Sequence, residues 1–206
     1  MKREGQYTYN TKETQVSCKL VIDGTGKSNI KTGIGFLDHM LELFSYHGLF
    51  DVTIKVKKQD LDVDIHHTNE DVGICLGGAF KAALEDKKGI RRYGTAFVPM
   101  EEVIAEVRAR VIVDISGRAL IDIKFPKSVY RLVGESGYTV EYCRQFLEAF
   151  SRNSGIAVYI KLESCRGTFD FHHTIEAIFK AFGRALDEAT SIDSRRKETP
   201  STKGKL

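Results

Sequence analysis

Two copies of one histidine-rich motif are the strongest chemical signal in this sequence. Residues 66–70 are His-His-Thr-Asn-Glu and residues 172–176 are His-His-Thr-Ile-Glu, so the two copies hold four of the six histidines. Imidazole nitrogen together with carboxylate oxygen suits manganese, iron, zinc or nickel, and the absence of thiolate from the motif argues against a structural cysteine-type zinc site. Folding alone does not require paired imidazoles at a repeated position, so the duplication indicates metal binding.

The spacing inside the motif predicts how its side chains are distributed. If the motif opens a helix, His66 and Glu70 stand one turn apart on one face. His67 then lies about 100° round the helix from His66, yet it is still only three residues from Glu70. The adjacent histidines therefore point to different sides and could serve two different ions.

The 106-residue offset between the two motifs also pairs His39 with Gln145. We expect His39 to be a further metal ligand, projecting from a predicted helix over residues 36–47. An amide oxygen is a weak ligand compared with imidazole, so the two metal sites should not be equivalent. Gln145 is expected to lie behind the ligands as a supporting neighbour, or to have no part in the site.

Several basic and hydroxyl side chains could bind an anion. Arginine forks and Ser or Thr hydroxyls are apt donors to phosphate oxygens. From spacing alone, a solvated surface charge is the commoner explanation for each of them. The candidates are Arg92, Arg118, Ser201, Thr202 and Lys203. The residues by themselves indicate a duplicated two-ion site and leave open whether its ligand is anionic.

The same offset extends well beyond the motif and defines the architecture. Leu41-Glu42 is repeated as Leu147-Glu148, and Ala83 is repeated as Ala189. One register kept over so many positions predicts two structurally equivalent halves, residues 1–92 and 93–190, followed by a polar tail over residues 191–206.

Hydrophobic periodicity predicts two strands, a helix, two strands and a helix in each half. This order indicates an α+β fold, with the helices packed between the two sheets. The predicted strands lie near residues 16–22, 52–56 and 61–65 in the first half and near 103–115, 119–125 and 155–163 in the second. The predicted helices lie at 36–47, 67–84, 139–153 and 172–189.

Composition excludes several classes of protein. The 206 residues are 42% hydrophobic and 29% charged, an ordinary globular balance. A net charge of +3 without an arginine-rich arm argues against a nucleic-acid partner. No apolar run reaches the length of a membrane span, and no secretory leader is visible. The four cysteines are scattered, which is typical of reduced thiols. We therefore expect a cytoplasmic protein with no membrane partner.

Taken together, these motifs resemble the imidazoleglycerol-phosphate dehydratase family, over nearly the whole chain from about residue 7 onward. The segments that show the resemblance are residues 11–14, 23–26, 32–41, 114–118, 175–182 and 200–204, together with both histidine motifs. The resemblance implies a duplicated α+β unit with two Mn²⁺ ions per active site. It also implies trimers that assemble into a 24-subunit shell with active sites shared between subunits.

The resemblance also implies roles for individual residues. The implied metal ligands are His39, His66, His67, Glu70, His172, His173 and Glu176. The implied substrate contacts are Glu13, His39, His47, His66, Glu70, Arg92, Arg118, His172, Lys180, Ser201, Thr202 and Lys203. Many family members have a further ligand histidine where this chain has Gln145. The tail is expected to become ordered by closing over the substrate phosphate.

The implied reaction is dehydration of imidazoleglycerol phosphate to imidazole-acetol phosphate and water in L-histidine biosynthesis, the work of a carbon–oxygen lyase. As a hypothesis, an imidazolate held by two metals expels the hydroxyl, and Glu13 is the base because the ligand carboxylates are occupied. A non-catalytic metal-binding shell protein is the alternative from a different class. A two-metal phosphohydrolase is a second alternative, although such enzymes favour carboxylate-rich ligand sets.

Overall fold

Two four-stranded sheets, one from each half of the chain, form the outer layers of the molecule. The computed structural model describes residues 2–101, 106–134, 136–164 and 169–206. The first half contains β1 (Glu4–Asn10), β2 (Gln15–Val21), β3 (Ser28–Lys31), α1 (Gly35–Gly48), β4 (Asp51–Lys58) and α2 (His66–Leu84). The second half contains β5 (Tyr93–Glu101), β6 (Glu106–Asp114), β7 (Leu120–Lys124), α3 (Val140–Ser154), β8 (Ala157–Ser164) and α4 (Phe171–Thr190).

The two sheets have the same topology. Their strand orders are β1-β2-β4-β3 and β5-β6-β8-β7. In each sheet the last pair, β3 with β4 or β7 with β8, is parallel and the other pairs are antiparallel. This equivalence confirms the predicted α+β class and the internal duplication.

The four helices lie between the sheets and form the core with them. Helix α2 packs on β1 and β2, and α4 packs on β5 and β6. Across the halves, α2 contacts α3 and α1 contacts α4. Phe150 meets both Phe80 and Phe182, with ring centroids 5.6 and 5.1 Å apart, and all three rings are fully buried. Burying each such side chain contributes roughly 1.5–3 kcal/mol, so the helix layer joins the halves. The predicted placement of the helices is confirmed.

Each half has the predicted four strands, but their predicted order relative to the helices is wrong. Each half has three strands before its first helix and one after it. The predicted strand at residues 61–65 is a turn, in which the carbonyl of Asp60 accepts the N–H groups of Val63 and Asp64. Val63 is 71% exposed, whereas Leu61 and Ile65 pack partly against the core, so the apolar alternation does not mark one buried face.

Strands β1, β3 and β5 were not predicted, and in β1 and β5 a glycine occupies a helix-facing position. A Cβ on Gly5 would lie 2.1 Å from the carbonyl oxygen of Ala79 on α2, and one on Gly94 would lie 1.9 Å from that of Ala185 on α4. The helices approach these strands too closely for a side chain. Neither position therefore carries an apolar side chain that would contribute to the alternating pattern of a strand.

The tail packs against the connection between the halves. Ile192 forms a bridge with Ile90, and Arg92 donates a hydrogen bond to the carbonyl of Pro200 at 3.0 Å. Cys18, Cys75 and Cys143 are free and buried, whereas Cys165 lies outside the described residues. Within the described ranges, no helix has both the length and the apolar character needed to cross a membrane.

Candidate active site

One group of predicted ligands converges on Glu176. The Oε1 atom of this carboxylate lies 2.9 Å from Nε2 of His39 and 3.1 Å from Nε2 of His172. Its Oε2 atom accepts a hydrogen bond from Lys180 at 2.8 Å. His39 belongs to α1 in the first half and the other residues to α4 in the second, so this site joins the two halves. We call His39, His172 and Glu176 the first cluster.

Local structure and helix packing explain this convergence. Asp170 begins α4 by accepting the backbone N–H of His173 at 2.8 Å, which places the motif in the first turn of the helix. His172, Glu176 and Lys180 then follow one another at four-residue intervals along one face. The contact between α1 and α4 brings His39 onto that face.

Glu176 is electrostatically prepared to act as an anion. The Glu176 side chain is only 11% exposed. Burial by itself raises its pKa, but hydrogen bonds from Lys180 and His39 outweigh burial and lower the pKa to about 2. The group is therefore ionised at neutral pH and can bind a cation without first losing a proton.

A cleft of about 650 Å³ opens beside the first cluster. The ring of Phe36 meets the ring of His172 edge to face, with centroids 5.4 Å apart, and also packs on Tyr138 and Phe171. The cleft thus places an apolar aromatic wall next to polar ligand atoms. Such a surface suits a small planar ring whose heteroatoms face the ligands.

A second cluster forms around the other motif and contains Glu13, Asp60 and His67. Nδ1 of His67 lies 2.7 Å from Oδ2 of Asp60 and 3.4 Å from Oε2 of Glu13. The hydrogen bond to Asp60 is the main cause of a raised pKa at His67. Thr11 orders the turn that carries Glu13, because its Oγ accepts the Glu13 N–H at 3.0 Å.

Asp60 was not among the predicted site residues. It falls in the polar turn between the predicted strands 52–56 and 61–65, and no role was predicted for the side chains of that turn. The available signal was a carboxylate seven residues before His67, in a segment that has to turn back toward the helix start. That signal is weak without the fold, because Asp62 and Asp64 occur in the same segment.

The remaining motif residues lie beside this second cluster and at the start of α4. Nε2 of His66 is 3.7 Å from Oε2 of Glu70, and its Nδ1 is 2.8 Å from Oε1 of Gln145 on α3. Nδ1 of His173 is 3.4 Å from Oδ1 of Asp170. Gln145 therefore contacts the predicted ligand His66 at Nδ1, while the other ring nitrogen, Nε2, faces Glu70.

The candidate anion-binding residues gather at a third place, where the tail meets the second sheet. Arg92 and Arg118 line a cleft of about 430 Å³ with Ser201, Thr202 and Lys203. Asp114 holds the guanidinium of Arg92 through two hydrogen bonds of 2.7 and 3.2 Å. The predicted contacts from distant parts of the sequence are thus brought together, although they line a different cleft from the first cluster.

His47 and Lys180 are placed apart from that third group. His47 lies near the end of α1 and lines a cleft with Arg184. Burial is the main cause of its lowered pKa, and the positive charges of Lys180 and Arg184 lower it further. Lys180 itself is bound to Glu176.

A duplicated α+β fold with histidine–carboxylate clusters at matching helix starts defines a protein with a site suited to divalent metal ions. The model of the imidazoleglycerol-phosphate dehydratase family matches residues 32–186. Curated relatives carrying that name include those of Trichlorobacter lovleyi, 48% identical over 208 residues and covering all of both chains, and Thermoanaerobacter sp., 48% identical over 99% of this chain and all of the relative.

Solved structures agree with the family match. The imidazoleglycerol-phosphate dehydratase of Staphylococcus aureus is 36% identical, with a TM-score of 0.74 over 91% of this chain and 99% of that one. The Pyrococcus furiosus structure, in complex with (S)-C348, is 31% identical, with a TM-score of 0.76 over 97% and 99%. The chain belongs to the imidazoleglycerol-phosphate dehydratase family and is therefore a hydro-lyase, as its sequence predicted.

Proposed function

We propose that this chain dehydrates imidazoleglycerol phosphate to imidazole-acetol phosphate and water in L-histidine biosynthesis. The observation that supports this most directly is the convergence of His39, His172 and Glu176, from both halves, beside an aromatic cleft. The substrate combines an imidazole with a phosphate, and the chain offers a ligand cluster for the first and a group of cationic and hydroxyl side chains for the second. The substrate is small, and no nucleic-acid or membrane partner is proposed.

The donor set fits Mn²⁺, of which we propose two per active site. The first cluster offers two imidazole nitrogens and one carboxylate oxygen within 4.8 Å of one another. His66, His67, Glu70 and His173 are the other proposed ligands. When bound, the metal ions would act as Lewis acids that polarise the substrate imidazole.

Glu13 is the proposed base. Its side chain is 59% exposed and lies beside His67, so it is both accessible and next to the proposed ligands. In the reaction, the hydroxyl group leaves as hydroxide, the carboxylate accepts the proton from the substrate carbon, and that proton then passes to the hydroxide to give water. The enol that results becomes the ketone product. Proton transfer by a carboxylate held close to the reacting carbon is general base catalysis.

The phosphate is proposed to bind between Arg92, Arg118 and the tail residues Ser201, Thr202 and Lys203. Arg92 is already oriented by Asp114, so less freedom is lost when it binds an oxyanion. The tail would close over the phosphate and anchor the end of the substrate that does not react.

Active sites shared between subunits would bring the first cluster and the phosphate-binding residues together. Within one chain, the first cluster and the phosphate-binding group line different clefts. We propose that trimers assemble into a 24-subunit shell, so that groups from neighbouring chains complete one site. A cytoplasmic location is part of the same proposal.

Turnover with and without metal tests the function. Protein stripped of metal should form no ketone from imidazoleglycerol phosphate, and added Mn²⁺ should restore ketone formation. His172→Ala is the matched variant and should stay inactive when Mn²⁺ is added. Manganese binding without any ketone would favour a non-catalytic metal-binding shell protein.

A further inference from the structure

Both histidines of the first motif have a hydrogen-bond acceptor at Nδ1. For His66 the acceptor is the amide oxygen of Gln145 at 2.8 Å, and for His67 it is a carboxylate oxygen of Asp60 at 2.7 Å. A neutral imidazole has one N–H and one lone pair, so the nitrogen that donates decides which nitrogen can bind a metal.

The orientation of the Gln145 amide follows from its second contact. Its side chain is also hydrogen-bonded to the side chain of Glu141, one turn earlier on α3. A carboxylate can only accept, so the amide NH₂ faces Glu141 and the amide oxygen faces His66. Arg144 holds Glu141 in place, with its Nε 2.9 Å from Oε2. His66 must therefore carry its proton on Nδ1.

The first turn of α2 fixes the position of Asp60. The backbone N–H of Asp60 donates to Oγ1 of Thr68 at 3.0 Å, and Thr68 is fully buried. The carbonyl of Asp60 accepts two N–H groups of the following turn. The Asp60 side chain is 19% exposed and directed at Nδ1 of His67. A carboxylate accepting from Nδ1–H is a common way of holding a metal-binding histidine in one tautomer.

The internal duplication favours a role for Gln145 in positioning His66. Its counterpart His39 lies on α1 and contacts the second motif, on α4, through Nε2. Gln145 lies on α3 and contacts the first motif, on α2, at Nδ1 of His66. One structural position thus supplies a ligand nitrogen in one half and a hydrogen-bond acceptor in the other. Nε2 of His66 remains directed toward Glu70.

We propose that Gln145 and Asp60 are positioning residues that hold His66 and His67 as Nδ1–H tautomers, so that both imidazoles present Nε2 to the metal. The proposal rests on the metal site of the proposed function. Gln145, held in place by Glu141, orients the ligand His66 and does not itself bind the metal. Asp60 has the same task toward His67, so Asp60 is not itself a ligand.

Solid-state NMR of metal-free protein labelled on its six histidines tests the tautomers, and the signals are assigned by replacing His66 or His67 in turn. The ¹⁵N shifts distinguish the two neutral tautomers at a pH where the rings are uncharged. We expect Nδ1–H at both residues. Gln145→Leu should mix the tautomers of His66 alone, and Asp60→Ala should mix those of His67 alone. General damage to the fold would not give this reciprocal pattern.

Mn²⁺ affinity, followed by the EPR signal of the free ion, gives the second readout. Gln145→Leu and Asp60→Ala should each weaken binding by roughly 10–100-fold, the usual effect of removing such a partner. Asp60→Asn keeps an oxygen acceptor and should retain most of the affinity. Asp62→Ala, an exposed position in the same turn, is the control and should bind like the parent.

Two results would overturn the proposal: Nε2–H at either histidine of the parent, or tautomers that stay unchanged in both Gln145→Leu and Asp60→Ala. Equal affinity of Asp60→Asn and Asp60→Ala would also count against an acceptor role for Asp60. If the parent binds no Mn²⁺, the proposed function fails at its metal step. The tautomers are measured without metal, so the two failures can be told apart.

Discussion

Gly77 on α2 lies directly against the carbonyl oxygen of Phe150 on α3, where an added Cβ would be only 2.6 Å away. The repeat reproduces this relationship between Gly183 on α4 and the carbonyl of Phe44 on α1, at 2.5 Å. Both pairs obey the 106-residue offset. Close helix crossings of the same design therefore join the halves twice, and the α1–α4 crossing places His39 beside Glu176.

Substituting alanine for Gly77 should destabilise the protein, because the new methyl group would force α2 away from α3. We expect a loss of about 1–3 kcal/mol in the free energy of unfolding, typical of overpacking. Urea denaturation at a fixed protein concentration measures this loss. Gly35→Ala is the control, since nothing lies within 4 Å of a Cβ there, and should have little effect. Equal stability of the two variants would contradict the close crossing.

Glu13→Gln should abolish most turnover while leaving Mn²⁺ and substrate binding near those of the parent, because the amide cannot accept the proton. Steady-state rates, together with calorimetric binding, measure the two effects separately. Glu42→Gln, on the exposed side of α1, should keep full activity. Retained turnover in Glu13→Gln would remove Glu13 from the role of base.

Acid should destabilise the metal-free protein through Glu176. Its pKa is about 2 in the fold, against an ordinary value of 4.5, so its ionised form stabilises the native state. That stabilisation is complete above the ordinary value and is lost as the pH falls toward 2. Lys180→Met removes a hydrogen bond that lowers the pKa of Glu176, so the loss of stability on acidification should begin at higher pH.

Urea denaturation of the metal-free protein over a series of acidic pH values measures this loss of stability. Lys81→Met, which removes an exposed lysine of α2, should keep the pH dependence of the parent. An unchanged pH dependence in Lys180→Met would mean that Lys180 is not needed to keep Glu176 ionised.

Arg118→Ala should weaken substrate binding more than it slows the chemical step, because its proposed partner is the phosphate. Losing a hydrogen bond between charged groups costs about 1.5–3 kcal/mol, or roughly 10–100-fold in KM. Steady-state kinetics with imidazoleglycerol phosphate measure the split between KM and kcat. Arg131→Ala, at an exposed arginine, is the control. A fall in kcat with KM unchanged would place Arg118 away from the phosphate.

Local sequence determined much of this protein. The four helices and the repeat could be predicted because helical periodicity and a constant offset are visible without knowledge of the packing. The spacing of His172 and Glu176 already placed both on one helix face, and the structure has them there. Strand β1 could not be predicted, because its one buried position is Gly5, which has no apolar side chain.

Only the tertiary structure decided which partners those residues meet. His39 and Glu176 are 137 residues apart and touch because α1 crosses α4. Asp60 reaches His67 because a turn replaces the predicted strand, and Gln145 reaches His66 because α2 packs on α3. The sequence by itself determined which face of a helix each ligand occupies, since that depends on local backbone geometry. Which element lies opposite that face depends on how two separately encoded halves pack together, and no local pattern records that packing.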